Sequence, residues 1–234
     1  MTQKQKLKQK KKEEQEEKQE EKEEEKEKKE KQKSKVKVAL HALEKQVEAT
    51  KLREILILAG FMGGAAALRV PMQALPSAEP ITFFAILAGW LFGRKKGFAV
   101  GAGALYLSNF FVFGGQGPWT LFQALGFGLG GYIGGWLRGR SGYISAAIAA
   151  IGATLTFEIV MNAGSLLVFP GSWLLMITAL PFIAIHFVSN ILFALGLPKA
   201  KKFIEEKGGF NEKKLATDLI AKFKHRLGMS KQDK

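Results

Sequence analysis

Two sets of polar residues interrupt the long apolar middle of this 234-residue chain. The first is Arg69, Gln73, Glu79, Ser108, Asn109, Gln116, Trp119, Thr120 and Gln123. It offers one cation, one carboxylate, several amides and hydroxyls, and an aromatic ring. Such groups bind and orient a small molecule when a few of them converge on an apolar and aromatic cavity. Simpler roles exist for some members: Arg69 and Glu79 as a structural ion pair, Trp119 as an anchor at a membrane interface. The second set is Glu158, Asn162, His186, Ser189 and Asn190. His186 and Asn190 are four residues apart, so they share a helical face. Hydrogen bonds between helices are the simpler use of this set. A proton relay is the sharper one, and it needs a carboxylate–histidine chain for which only Glu158 is at hand.

The elements that must position these residues are apolar helices. The stretch from about 54 to 198 is too apolar, and too poor in charge, for a water-soluble domain of its size. Apolar runs near 20 residues long match the thickness of a bilayer core. Six spans are predicted, at about 53–70, 79–93, 97–113, 119–137, 143–169 and 173–197, the second being short for a full crossing. Pro71, Pro76, Pro80, Pro118, Pro170 and Pro198 fall at the proposed ends, and Pro181 predicts a kink within the sixth.

Charge orients the bundle. Loop 94–96 is Arg-Lys-Lys, loop 138–142 holds Arg138 and Arg140, and Lys199, Lys201 and Lys202 follow Pro198. The alternate loops 71–78, 114–118 and 170–172 carry neither Lys nor Arg. Basic loops stay in the cytoplasm, so both termini are expected inside. The first polar set then gathers at the outer face, from three separate segments. Within it Gly114-Gly-Gln-Gly-Pro-Trp119 (GGQGPW) joins the third and fourth spans, with glycines that let backbone turn tightly and approach a ligand.

Two tails flank the spans. Residues 1–52 begin as a Lys/Glu/Gln tract with no large apolar residue after Leu7 until Val36. Its mixed charges suit a solvated helix held by Glu–Lys pairs, without the repeating apolar positions of a coiled coil. Its charged start predicts no cleavable signal peptide. From Val36 a short amphipathic helix leads into the first span. At the other end, Leu215, Leu219, Ile220, Phe223 and Leu227 within 211–229 share a face ringed by Lys. That suits a helix lying on the anionic inner leaflet, or one packed on a cytoplasmic partner. The expected domains are therefore a tail over 1–52, a six-helix all-α membrane domain over 53–198 and a basic tail over 199–234.

Several chemistries find no support. Gly126-Phe-Gly-Leu-Gly-Gly131 satisfies GxGxxG, but it lies inside an apolar helix, where glycines serve close helix packing. There is no GxxxxGK[ST] phosphate loop, no HExxH and no cysteine, which removes thiolate metal sites and disulfides. The formal charge of +14 sits in tails and loops beside the membrane, which points to lipid headgroups and away from nucleic acid. Glu79 and Glu158 are predicted on different spans and depths, so no acid–base pair is expected. Neither a catalytic residue, a metal nor a cofactor of its own is expected.

In the first span Ala59, Gly63 and Ala67 recur every fourth residue, with Gly60 and Gly64 adjacent. Such a ridge lets another backbone approach closely, from within the chain or from another subunit. With that ridge, the order of six spans, and the segments PSAEPITFFAILAGWLFGRKKGFAVG, SNFFVFGGQGPWTLFQALGFGLGG and HFVSNILFALGLP, residues 54–198 resemble the substrate-binding S component of energy-coupling factor transporters. The resemblance implies high-affinity capture of a vitamin or related micronutrient from outside the cell. Uptake would follow through a transmembrane coupling protein driven by two cytoplasmic ATPases. It also implies that the loop from Gln73 to Glu79 covers the site, and that Ala59, Gly63 and Ala67 meet the coupling protein. The residues around GGQGPWT are most similar to a subgroup for cobalamin-type cargo, with riboflavin and a queuosine precursor as alternatives. The long Lys/Glu tail and the basic C-terminal helix depart from the family pattern. Against the transport subunit stand a self-contained transporter, channel or exporter, a membrane enzyme, and a scaffold whose charged tails recruit cytoplasmic partners.

Overall fold

The first 59 residues contain neither glycine nor proline, and nothing in them stops a helix once it has started. In a computed structural model, which describes residues 3–140, 142–171, 173–207, 218–219 and 221–222, α1 runs unbroken from Gln3 to Met72. The tail, the amphipathic lead-in and the first apolar span, expected as separate pieces, are therefore one helix. In its polar part Glu24–Lys28, Glu25–Lys29 and Glu27–Lys31 pair one turn apart, at 2.7, 2.6 and 2.5 Å. Glutamate leading lysine by four residues is the favourable order on a helix. The hydrogen bond and charge of Lys28 lower the Glu24 carboxyl, and Glu24 raises the lysine in turn.

The chain divides into two units, Met1–Ala49 with Glu212–Lys234, and Thr50–Asn211. The first consists, as far as it is described, of the charged part of α1 and a few helical residues near 218–222. Most of the amphipathic helix expected over 211–229 lies outside the described residues.

The second unit holds the apolar end of α1 and seven further helices: α2 (Ile81–Phe92), α3 (Arg94–Ser108), α4 (Trp119–Trp136), α5 (Tyr143–Val168), α6 (Trp173–Thr178), α7 (Leu180–Ala194) and α8 (Leu197–Lys207). Among the described residues there is no strand. The helical stretches Gln19–Met72, Tyr143–Val168 and Met176–Lys207 each hold a window long and apolar enough to cross a membrane. α2 is far shorter and lies at the centre. Its residues Ala85 to Leu91 are all buried, with Trp90 wholly enclosed, as befits a helix apolar on every side. It packs on α3, α4, α5, α7 and α8, and Phe61 of α1 meets its Phe84 ring.

Two boundaries differ from expectation for clear physical reasons. The third span was expected to reach residue 113, but α3 stops at Ser108, and Phe110 to Phe113 form turns. The Asn109 amide is engaged by other elements there, as described below. The sixth span was expected to kink at Pro181, but instead it breaks at Ala179 into α6 and α7. Pro181 then sits in the first turn of α7, where its missing N–H has no partner to lose.

The placement of residue types suits a solvent of lipid. In α5 the inward face is Ala146, Ala149, Ala150 and Ala153, while Ile144, Ile148, Leu155 and Ile159 point outward. In α7 the buried face holds His186, Asn190 and Ala194, whereas Phe182, Val188, Leu192 and Leu195 are exposed. A helix in water shows the opposite arrangement. Small residues inside permit close backbone contact, and large ones outside cost nothing against acyl chains.

The GxGxxG stretch in α4 is one such close contact. A Cβ on Gly131 would strike the Gly97 backbone of α3, and one on Gly128 the Phe98 ring. One on Gly126 would strike Phe157 of α5. These glycines let the helices pack closely.

Candidate functional site

Arg69 stands in the last turn of α1 and reaches both the segment before α2 and the end of α3. Its Nη1 donates to Ser108 Oγ at 2.8 Å and to Asn109 Oδ1 at 2.6 Å. Its Nε lies 2.9 Å from Glu79 Oε2 and 3.3 Å from Oε1, the Arg69 side chain being 11% and the Glu79 side chain 20% exposed. Asn109 passes the network onward, giving its amide N–H groups to Gln123 Oε1 at 3.0 Å and Thr120 Oγ1 at 3.3 Å. The Thr120 hydroxyl also accepts the Gly117 N–H at 3.0 Å, closing the turn that starts α4. Ser108 completes itself by donating to the Leu105 carbonyl at 2.8 Å.

Six of the nine residues of the first set thus form one connected network from α1, the segment before α2, the end of α3 and the start of α4. The remaining three are placed otherwise. Gln73 links two loops: its Nε2 donates to the Val70 carbonyl, and its Oε1 accepts the Phe113 N–H, both at 2.7 Å. Gln116 is exposed and gives its Nε2 to the Tyr106 carbonyl at 2.9 Å, which clasps the loop back onto α3. That loop turns at Gly114 and Gly115, whose φ angles of +87° and +52° call for glycine. Trp119 lies against Gly117.

Two cavities adjoin this network, divided by the segment that carries Ser77 and Glu79, which line both. The first, of about 220 Å³, is bounded by Arg69, Gln73, Pro76, Val112 and Phe113. The second, of about 310 Å³, lies deeper among Gln123 of α4, Phe157, Glu158, Asn162 and Ser165 of α5, and Phe182 and His186 of α7. Neither Gln116 nor Trp119 lines these two cavities. Loop 114–118 supports the network from outside and forms no wall of either.

The second polar set divides in two. Asn190 donates to Thr154 at 2.9 Å and to Thr82 at 3.4 Å, tying α7 to α5 and α2 inside the bundle. His186 is 2% exposed and places Nδ1 2.7 Å from Glu158 Oε1. Asn162 Nδ2 donates to the Glu158 carbonyl at 2.8 Å, and Ser189 Oγ reaches the Ser77 carbonyl at 3.2 Å. One expectation is corrected here. Glu79 and Glu158, predicted at separate depths, line the same cavity, because the segment before α2 dips onto α5 and α7. The carboxylate–histidine contact that a relay needs is also present.

Sequence reasoning missed Thr82, Thr154 and Ser77. Thr154 was open to detection, being four residues before Glu158 and so on the same helical face. Ser77 gave no such sign, since its left-handed backbone, φ +61°, is a product of the loop. The ridge residues Ala59 and Ala67 are exposed, and a Cβ on Gly60 or Gly63 would meet nothing within 4 Å. Among the described residues, then, nothing covers the ridge. No group of three or more potential metal ligands occurs among the described residues.

These features define an all-helical protein with membrane-length helices and a buried polar network beside two cavities. Residues 49–208 match a family of unknown function, DUF6580, and the chain belongs to that family. No curated protein and no solved structure matches it.

Proposed function

We propose that this protein is a membrane subunit that captures a vitamin-sized micronutrient from outside the cell and passes it inward with an ATP-driven coupling module. The observation that carries the reading is the convergence of Arg69, Glu79, Ser108, Asn109, Thr120 and Gln123 beside two cavities. Charge alternation assigns that end of the bundle to the outside. Ser77 and Glu79, from the segment expected to cover the site, line both cavities, which supports that role. A ridge at Ala59, Gly63 and Ala67, uncovered among the described residues, supports docking on a separate helical subunit. The chain's own role is binding; hydrolysis of ATP belongs to the partners.

Cavity size bears on the cargo. About 310 Å³ is near the lower end of small-molecule sites, which span roughly 300–1,000 Å³. That favours riboflavin or a queuosine precursor over a cobalamin-type cargo, whose corrin macrocycle with its side chains is much larger.

A self-contained, proton-linked transporter is the second reading, favoured by the 2.7 Å contact of Glu158 with His186. Purification from native membranes separates the two. A co-purified cofactor-like ligand and an associated ATPase complex support the first. Uptake into vesicles by the chain alone, driven by an imposed pH gradient, supports the second. If no cofactor-like ligand binds below micromolar levels and no ATPase complex co-purifies, the capture reading is wrong.

A further inference from the structure

The deeper cavity has an unusual balance of hydrogen-bonding atoms. His186 Nδ1 lies 2.7 Å from Glu158 Oε1. The other ring nitrogen, Nε2, is fully buried with no hydrogen-bond partner. Asn162 gives one Nδ2 N–H to the Glu158 carbonyl, leaving its amide oxygen and its second N–H. Neither lysine nor arginine lines this cavity, although two carboxylates do. Arg69 serves Glu79 through the separate network, so Glu158 has only the imidazole beside it.

An unpartnered buried nitrogen is costly, and in a membrane bundle such a group marks a binding or transport path. What the cavity lacks is a lysine or arginine to offset its two carboxylates. Its apolar walls include the rings of Phe157 and Phe182, and aromatic faces attract cations. An anionic ligand would meet the carboxylates with no counter-charge.

We propose that this cavity binds a small organic cation bearing N–H donors, a protonated amine or a cationic nitrogen heterocycle. Glu158 supplies the counter-charge, and the Phe157 and Phe182 rings supply aromatic walls. The assignment narrows the cargo class of the capture reading and rests on that reading only for the direction of movement.

The test uses the purified full chain in detergent and three probes of nearly equal size: 2-phenylethylammonium, 2-phenylethanol and 3-phenylpropionate. Calorimetry is expected to show the ammonium binding about tenfold or more tightly than the alcohol, the size of one charge-assisted hydrogen bond. The propionate should give no heat. Glu158→Gln keeps an acceptor for His186 Nδ1 and should reduce the ammonium to the affinity of the alcohol, leaving the alcohol unchanged. Asn162→Asp adds negative charge and should tighten the ammonium, which keeps the idea testable should Glu158→Gln fail to fold. Equal affinity for all three probes, preference for the propionate, or no binding of any probe at millimolar concentration overturns the assignment. The two proposals fail separately. Ammonium binding without any ATPase partner defeats the capture reading alone, while ATP-driven uptake of an anionic vitamin defeats the cavity assignment alone.

Discussion

Replacing Arg69 with methionine keeps much of the aliphatic stem and removes the charge that joins α1 to the segment before α2 and the end of α3. Its loss strands the Glu79 carboxylate and leaves Asn109 Oδ1 without its 2.6 Å donor. Ser108 suffers little, because its hydroxyl still donates to Leu105. Breaking a fully buried ion pair costs about 3–5 kcal/mol. With the two side chains 11% and 20% exposed, the lower end applies, and Arg69→Met is expected to cost about 3 kcal/mol. In a Glu79→Gln background no carboxylate remains to strand, and the same change should cost only the orphaned Asn109 acceptor, about 1 kcal/mol. The coupling between the two sites is therefore about 2 kcal/mol, within the range for contacting residues in one network. Equilibrium unfolding of the four proteins in mixed micelles with rising denaturing detergent measures it directly. Additive effects within experimental error, or a cost below that of a single neutral hydrogen bond for Arg69→Met, would refute the network as the clasp of this end of the bundle.

Two further substitutions probe helix contacts. Gly131→Ala drives a Cβ against the Gly97 backbone and the Ala85 side chain, and should cost about 1–3 kcal/mol in the same unfolding assay; an unchanged midpoint would mean that α3 and α4 are not so close. A Cβ at Gly63 meets nothing within 4 Å among the described residues, so Gly63→Leu should leave stability within about 0.5 kcal/mol. Its effect should appear in assembly, with recovery of the coupling module falling about tenfold or more. Full recovery with undiminished uptake would remove the ridge from the docking surface.

Much of the architecture was legible from periodicity, proline placement and charge. α4 and α5 follow the expected spans almost to the residue, since proline or glycine breaks flank both. Where such breaks are missing, boundaries moved. α1 absorbs the charged tail because nothing in the first 59 residues interrupts a helix. α3 ends at Ser108, next to the Asn109 side chain that Arg69 of α1 engages, and no local propensity at Ser108 announces that end. In the site, residue types identified the participants but not their pairings. Gln116 and Trp119 looked like walls of a mouth, yet their own loop geometry turns one to the Tyr106 carbonyl and the other onto Gly117.

The amino-acid sequence by itself determined the helical class, the apolar spans, the alternation of basic loops and the set of polar residues among which any site must lie. These are properties of composition and period, which each helix carries regardless of its neighbours. The tertiary structure decided which of those residues meet. Arg69 and Asn109 are forty residues apart and Glu158 and His186 twenty-eight. Such contacts depend on how far α2 sinks between α4 and α5, and on the glycines that let those backbones close. The same packing left the Ala59–Gly63–Ala67 ridge uncovered among the described residues while it buried the imidazole of His186 without a partner for Nε2.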